Sequence, residues 1–147
     1  MNRIRHYRII LETGLGVLSV RLALRVVNLP RLLSWLTAGP VASIQDLQGM
    51  DDAVYYTDRW LERFPYNPKG NCFPRSLTLL WFARKFGFSP QFRCGVARLN
   101  GKLEGHAWLM LQEKEFFEPS AYWRSFAVTV AFPPNSAPSN PVQTRVQ

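Results

Sequence analysis

CFPRSLTLLWFARKFGFSPQFRCGVARLNGKLEGHAWLML, residues 72–111, changes its hydrophobic period half-way along, and that change decides the fold class. From Cys72 to Phe86 the period is helical: Leu77, Leu80, Trp81 and Ala83 form an apolar side, and Pro74 is tolerable only in a first turn. Arg84 and Lys85 followed by Gly87 mark the end. After Ser89-Pro90 the period falls to two, with Phe92, Cys94 and Val96 alternating with polar or small residues. Asn100-Gly101 is a two-residue hairpin signal, so a second strand is predicted over Leu103 to Leu111. A turn at Gln112 to Lys114, a third extended run at Glu115 to Glu118 and a strand over Phe126 to Phe132 complete an antiparallel meander. Helices followed by a meander read as an α+β fold, with helices packed on one side of the sheet.

Upstream, Asp51 or Asp52 can cap a helix carrying Val54, Thr57, Leu61 and Phe64 on one side and stopped by Pro65. The loop Tyr66 to Gly70 then delivers the chain to Cys72. Thr37 to Gly49, punctuated by Gly39, Pro40 and Gly49, reads as a linker, preceded by a short apolar turn at Leu32, Leu33, Trp35 and Leu36. In the opening segment Leu15, Leu18, Leu22 and Val26 recur at helical spacing beside Arg21 and Arg25, which predicts an amphipathic helix with one apolar face. That face is expected to pack on its own domain, with docking to a partner protein or an acidic membrane face as the alternative. Glu12, Arg21 and Arg25 argue against a signal peptide, and Thr13 to Val20 is too short an uncharged run to span a bilayer. The expected organisation is a helical segment and linker over residues 1–49, a catalytic domain over 50–133, and a disordered tail over 134–147 that is rich in Pro, Ser and Asn.

Of the net charge of +8, residues 1–35 supply +5, since six arginines face the single acid Glu12. The remaining twelve basic and nine acidic residues are ordinary for a surface and give no sign of a nucleic-acid groove. Two cysteines, Cys72 and Cys94, read as free thiols in a reducing, cytoplasmic compartment, with membrane contact open to residues 1–36. His6 and His106 lie far apart in sequence and no Cys or His pair has ligand spacing, so neither a metal nor a cofactor is expected.

A cysteine attacks only as thiolate, and an ordinary thiol near a pKa of about 8.5 is mostly protonated at neutrality. Cys72 falls at the start of its predicted helix, where free N–H groups and the macrodipole favour an anion and could receive an oxyanion. Asn71 and Arg75 beside it, with Trp108, are the candidates for holding substrate or oxyanion. His106 sits in an apolar strand between Gly105 and Ala107, which leaves room around the ring, and could share the thiol proton. Glu118 is the candidate third group and Glu104, on the same strand side as His106, competes with it. A turn with three unpaired residues puts Glu118 on the His106 side, whereas a two-residue loop points it to the opposite side.

The motifs Cys72-Phe73-Pro74-Arg75-Ser76-Leu77, Gly95-Val96 and His106-Ala107-Trp108, with EFFEP at residues 115–119, resemble in order the transglutaminase-like B proteins of lasso-peptide clusters. The likeness spans roughly residues 51–133, and RLALRVVNLPRLLSWL resembles the family's N-terminal segment. The resemblance implies a transglutaminase-like, papain-like cysteine peptidase core with Cys72 as nucleophile, His106 as general base and acid, and Glu118 where the family usually has Asp. It also implies removal of a leader from a precursor peptide, a separate leader-recognition protein as partner, and the lasso-forming cyclase as a further one. Two other readings compete: an acyl transferase using the same three residues, and a non-catalytic binding or membrane-associated protein.

Overall fold

The computed structural model describes residues 2–65, 67 and 70–134. The tail expected at 134–147 lies outside them from residue 135 on, as do residues 66, 68 and 69 of the loop before Cys72. Four helices precede the sheet: α1 (Arg3–Val26), α2 (Leu29–Leu36), α3 (Leu47–Arg63) and α4 (Cys72–Lys85). Their starts are chemically marked, because the side chains of Asn2, Asn28 and Asp46 each accept a backbone N–H that has no acceptor inside its helix. Strands β1 (Gln91–Leu99), β2 (Lys102–Leu111), β3 (Lys114–Glu115) and β4 (Ala127–Phe132) form one antiparallel sheet in the order β3-β2-β1-β4. The α+β architecture read from the sequence is the observed one.

The β1–β2 register follows from the Asn100-Gly101 turn, both of whose residues have positive φ, and pairs Gly95 with His106 and Cys94 with Ala107. Alternation then sends Ala107 and Leu109 into a core with Leu77, Leu80, Phe82 and Ala83 of α4, while Trp108 and Met110 join Phe126 and Trp123 in a second cluster. The sheet is therefore covered on both sides near β2, by α4 on one and by the 3₁₀ helix Ala121–Ser125 with the residues after it on the other.

Three local expectations are corrected. First, α3 begins at Leu47, not at Asp51 or Asp52, so residues 47–49, read as linker, form its first turn. Asp46 is the cap because its carboxylate accepts the Gly49 N–H at 2.9 Å and also holds Arg5 of α1 at 2.5 Å. Second, the third extended run is shorter: β3 stops at Glu115, and Glu118 is not on a strand.

Third, α1 is inverted relative to its reading. Its packed side is Ile9, Thr13, Gly14, Val17 and Val20, while Leu15, Leu18, Leu22 and Val26 are exposed. Small residues decide this orientation. A Cβ on Gly14 would come within 2.7 Å of the Trp60 ring and one on Gly16 within 3.3 Å of Phe82, so α1 approaches α3 and α4 more closely than a leucine face could. A polar contact seals the approach, with Trp60 Nε1 donating to the Ile10 carbonyl at 2.8 Å, while the buried Thr13 hydroxyl is satisfied within α1 by the Ile9 carbonyl at 2.8 Å. The leucines are left on the outside, in a line continued by Ile4, Tyr7 and Leu11.

Candidate active site

Because β3 is only two residues long, the outer edge of β2 before Leu109 has no strand beside it among the described residues. The N-terminus of α4 takes that place. Ser76 Oγ, buried one turn after Cys72, donates to the Ala107 carbonyl at 3.0 Å, and the Ala107 N–H is placed to favour a Cys72 thiolate. The carbonyl of Ala107 is thus satisfied by α4 rather than by another strand. This docking fixes the half-buried Cys72 against β2 one residue from His106, near enough for the thiol and the imidazole to shift each other's ionisation.

Glu118 completes the group, its Oε1 lying 3.2 Å from His106 Nε2. It arrives by a route the sequence did not suggest. The loop is of the two-residue kind, Gln112 and Glu113 at positive φ with Leu111 paired to Lys114, and regular pairing would have pointed Glu118 away from His106. Pairing ends at Phe116, however, and Phe117 at φ 53° turns the chain so that the carboxylate comes back to the ring. The competitor Glu104 is occupied elsewhere, accepting the Tyr122 hydroxyl at 3.0 Å. With Nε2 facing Glu118, Nδ1 is the ring nitrogen left for the thiol.

The electrostatics favour a thiolate–imidazolium pair. Burial works against ionisation of Cys72, but the His106 hydrogen bond and charge together with the N–H groups of Ala107 and Phe73 outweigh it and hold the thiol below its ordinary pKa. Burial likewise opposes a charged His106, yet its bonds to Cys72 and Glu118 and their negative charges push it up to about 9. Cys94 behaves oppositely, since burial drives its thiol up. The two cysteines are therefore chemically distinct although both are free.

The three binding candidates fare differently. Asn71 is the exposed N-cap residue of α4, and its side chain makes no capping bond; Pro74 has no N–H, that of Arg75 donates to the Asn71 carbonyl at 2.9 Å and that of Phe73 favours the thiolate, so the Cys72 N–H is the first-turn amide left for an anion. Arg75 does not face the thiol. Its guanidinium grips Asp58 of α3 through Nε at 2.6 Å and Nη2 at 3.2 Å, so it ties α3 to α4. Trp108 is fully buried and cannot line a substrate site; it stacks under His106 with ring centroids 5.7 Å apart and supports the imidazole from below. Two residues near the site carried no signal of their own in the sequence: Ser76, which pins α4 to β2, and Tyr122, whose ring stands edge-on to His106 at 5.4 Å. Only the aromatic density of AYWRSF, residues 121–126, hinted at the latter.

A helix-borne cysteine held against a strand-borne histidine that a carboxylate orients is an arrangement capable of thiol-dependent acyl chemistry. Residues 15–131 match the family model of the transglutaminase-like superfamily, and the chain belongs to that superfamily. Its members include cysteine peptidases and acyltransferases. No curated protein and no solved structure matches the chain.

Proposed function

We propose that this protein is a cysteine peptidase that removes the leader from a ribosomally made lasso-peptide precursor. The observation that carries the reading is the meeting of Cys72, His106 and Glu118 at the open edge of β2, in a chain whose motifs resemble the lasso-cluster B proteins. The Cys72 thiolate attacks the carbonyl carbon at the leader–core junction, and the oxyanion is received by the Cys72 N–H at the start of α4. His106, protonated, gives its Nδ1 proton to the leaving amine as the C–N bond breaks, which leaves a thioester on Cys72. The neutral imidazole then takes a proton from water, whose hydroxide displaces the sulfur and restores the pair. Glu118 keeps the ring oriented and stabilises its charge throughout.

A matched precursor incubated with its leader-recognition partner and the wild-type chain should release core and leader by mass spectrometry, and Cys72→Ala should release neither. Cleavage that persists in Cys72→Ala refutes the proposal. A product lighter by ammonia and joined to an amine would assign the same thioester to acyl transfer instead.

A further inference from the structure

We infer that the outward face of α1 is a docking surface for an anionic lipid bilayer, lying in the plane of the interface. The face is a single stripe from Ile4 to Val26 through Tyr7, Leu11, Leu15, Leu18 and Leu22, with every member between 44% and 84% exposed. Apolar surface in so long an unbroken row is unusual on a protein without a partner. The inside of the same helix is packed against α3 and α4, so the stripe is not a core face awaiting its own domain.

Spacing and charge together select the occupant. Successive members are three, four, four, three, four and four residues apart, a mean of about 3.7, which keeps the row nearly straight along a helix about 36 Å long. A left-handed coiled-coil partner would instead favour a 3.5-residue repeat. A straight row on the face opposite the packed side can touch a plane along its whole length. Arg3 and Arg25 border it and form no ion pair among the described residues, and Arg8 borders the other side. The only acid of α1, Glu12, is already bound by Arg8 and Lys85, so nothing on this face repels anionic headgroups. Beside Leu15, Trp81 of α4 is 40% exposed, with the Lys85 ammonium 5.6 Å from its ring. An indole and an ammonium at the rim of an apolar strip suit the headgroup level of a bilayer. Among the described residues no helix is long and apolar enough to cross a membrane, and the proposed contact is in-plane.

The inference does not depend on the chemistry of Cys72, and its test is separate. The full-length chain is sedimented with vesicles of neutral phosphatidylcholine alone or with about a third phosphatidylglycerol. Expected is binding to the anionic vesicles at least about tenfold stronger than to the neutral ones and weakened by salt. Leu15→Ser/Leu22→Ser should lose at least about tenfold of that binding, while its melting temperature and its Cys72 alkylation rate stay at wild-type values, because both side chains are more than half exposed. Arg3→Gln/Arg25→Gln should lose the preference for anionic lipid. Wild-type chain remaining in the supernatant with anionic vesicles overturns the inference. So does a wild-type dimer that the double serine variant returns to monomer, or a stripe covered by the recognition protein in a stable complex that excludes vesicles.

Discussion

Glu118→Gln should move the ionisation of the site from both sides. In the wild type Glu118 Oε1 and His106 Nε2 are 3.2 Å apart, and both side chains are largely buried. Unit charges at that separation attract by about 5 kcal/mol at an effective dielectric of about 20, and the cost of burying them cancels much of it. What remains is on the order of one to two pKa units on the imidazole, each worth about 1.4 kcal/mol. The sign follows from which form the carboxylate stabilises. Removing it destabilises the imidazolium, so the His106 pKa falls from about 9 by that amount. The thiolate then loses its cation over the same range, and the Cys72 pKa rises. The pH window in which sulfur and ring are both charged narrows at its alkaline and its acid end. Iodoacetamide alkylation as a function of pH, read by peptide mass mapping, measures this without any substrate, and the buried Cys94 serves as an internal slow control. At pH about 6 alkylation of Cys72 should slow by roughly tenfold in Glu118→Gln. A variant with wild-type rates and inflections would show that the carboxylate does not hold the ring charged, and the argument for Glu118 would fail.

Two substitutions test how the site is positioned. Ser76→Ala leaves the buried Ala107 carbonyl without its 3.0 Å donor, and should cost about 1–2 kcal/mol, a few degrees of melting temperature by calorimetry, while raising the Cys72 pKa as α4 loosens from β2. Gly95→Ala should be worse, because its Cβ would lie 2.2 Å from the Ala127 carbonyl oxygen, which is backbone and cannot yield. Loss of β4 pairing, seen as fast hydrogen exchange at Val128 and Val130, and destabilisation by about 3 kcal/mol or more are expected.

Much of this architecture could be read from residue order because its signals are local. Pro74 and Gly87 bound α4, period two marks β1 and β2, and Asn100-Gly101 sets their register, each within a few residues of the structure it dictates. The placement of the two candidate residues was legible for the same reason, Cys72 at a helix start and His106 between small neighbours in a strand. The orientation of α1 was not. Hydropathy counts leucines, whereas the packed side was chosen by glycines that let α1 approach Trp60 and Phe82, and the value of a missing side chain depends on a partner far away in sequence.

The third group and the roles of Arg75 and Trp108 likewise required the tertiary structure. Glu118 reaches His106 only because pairing stops early and Phe117 turns the chain, and a register argument assumes that the strand continues. Arg75, one turn from the thiol, found a carboxylate on another helix, since a guanidinium goes where a bidentate acceptor is. Composition, periodicity and motif order were thus sufficient for the elements and for the placement of Cys72 and His106, all set by short-range sterics and hydrogen bonding. Distances between elements decided the rest, because which groups share a buried edge depends on how closely backbones approach, and no local pattern encodes that.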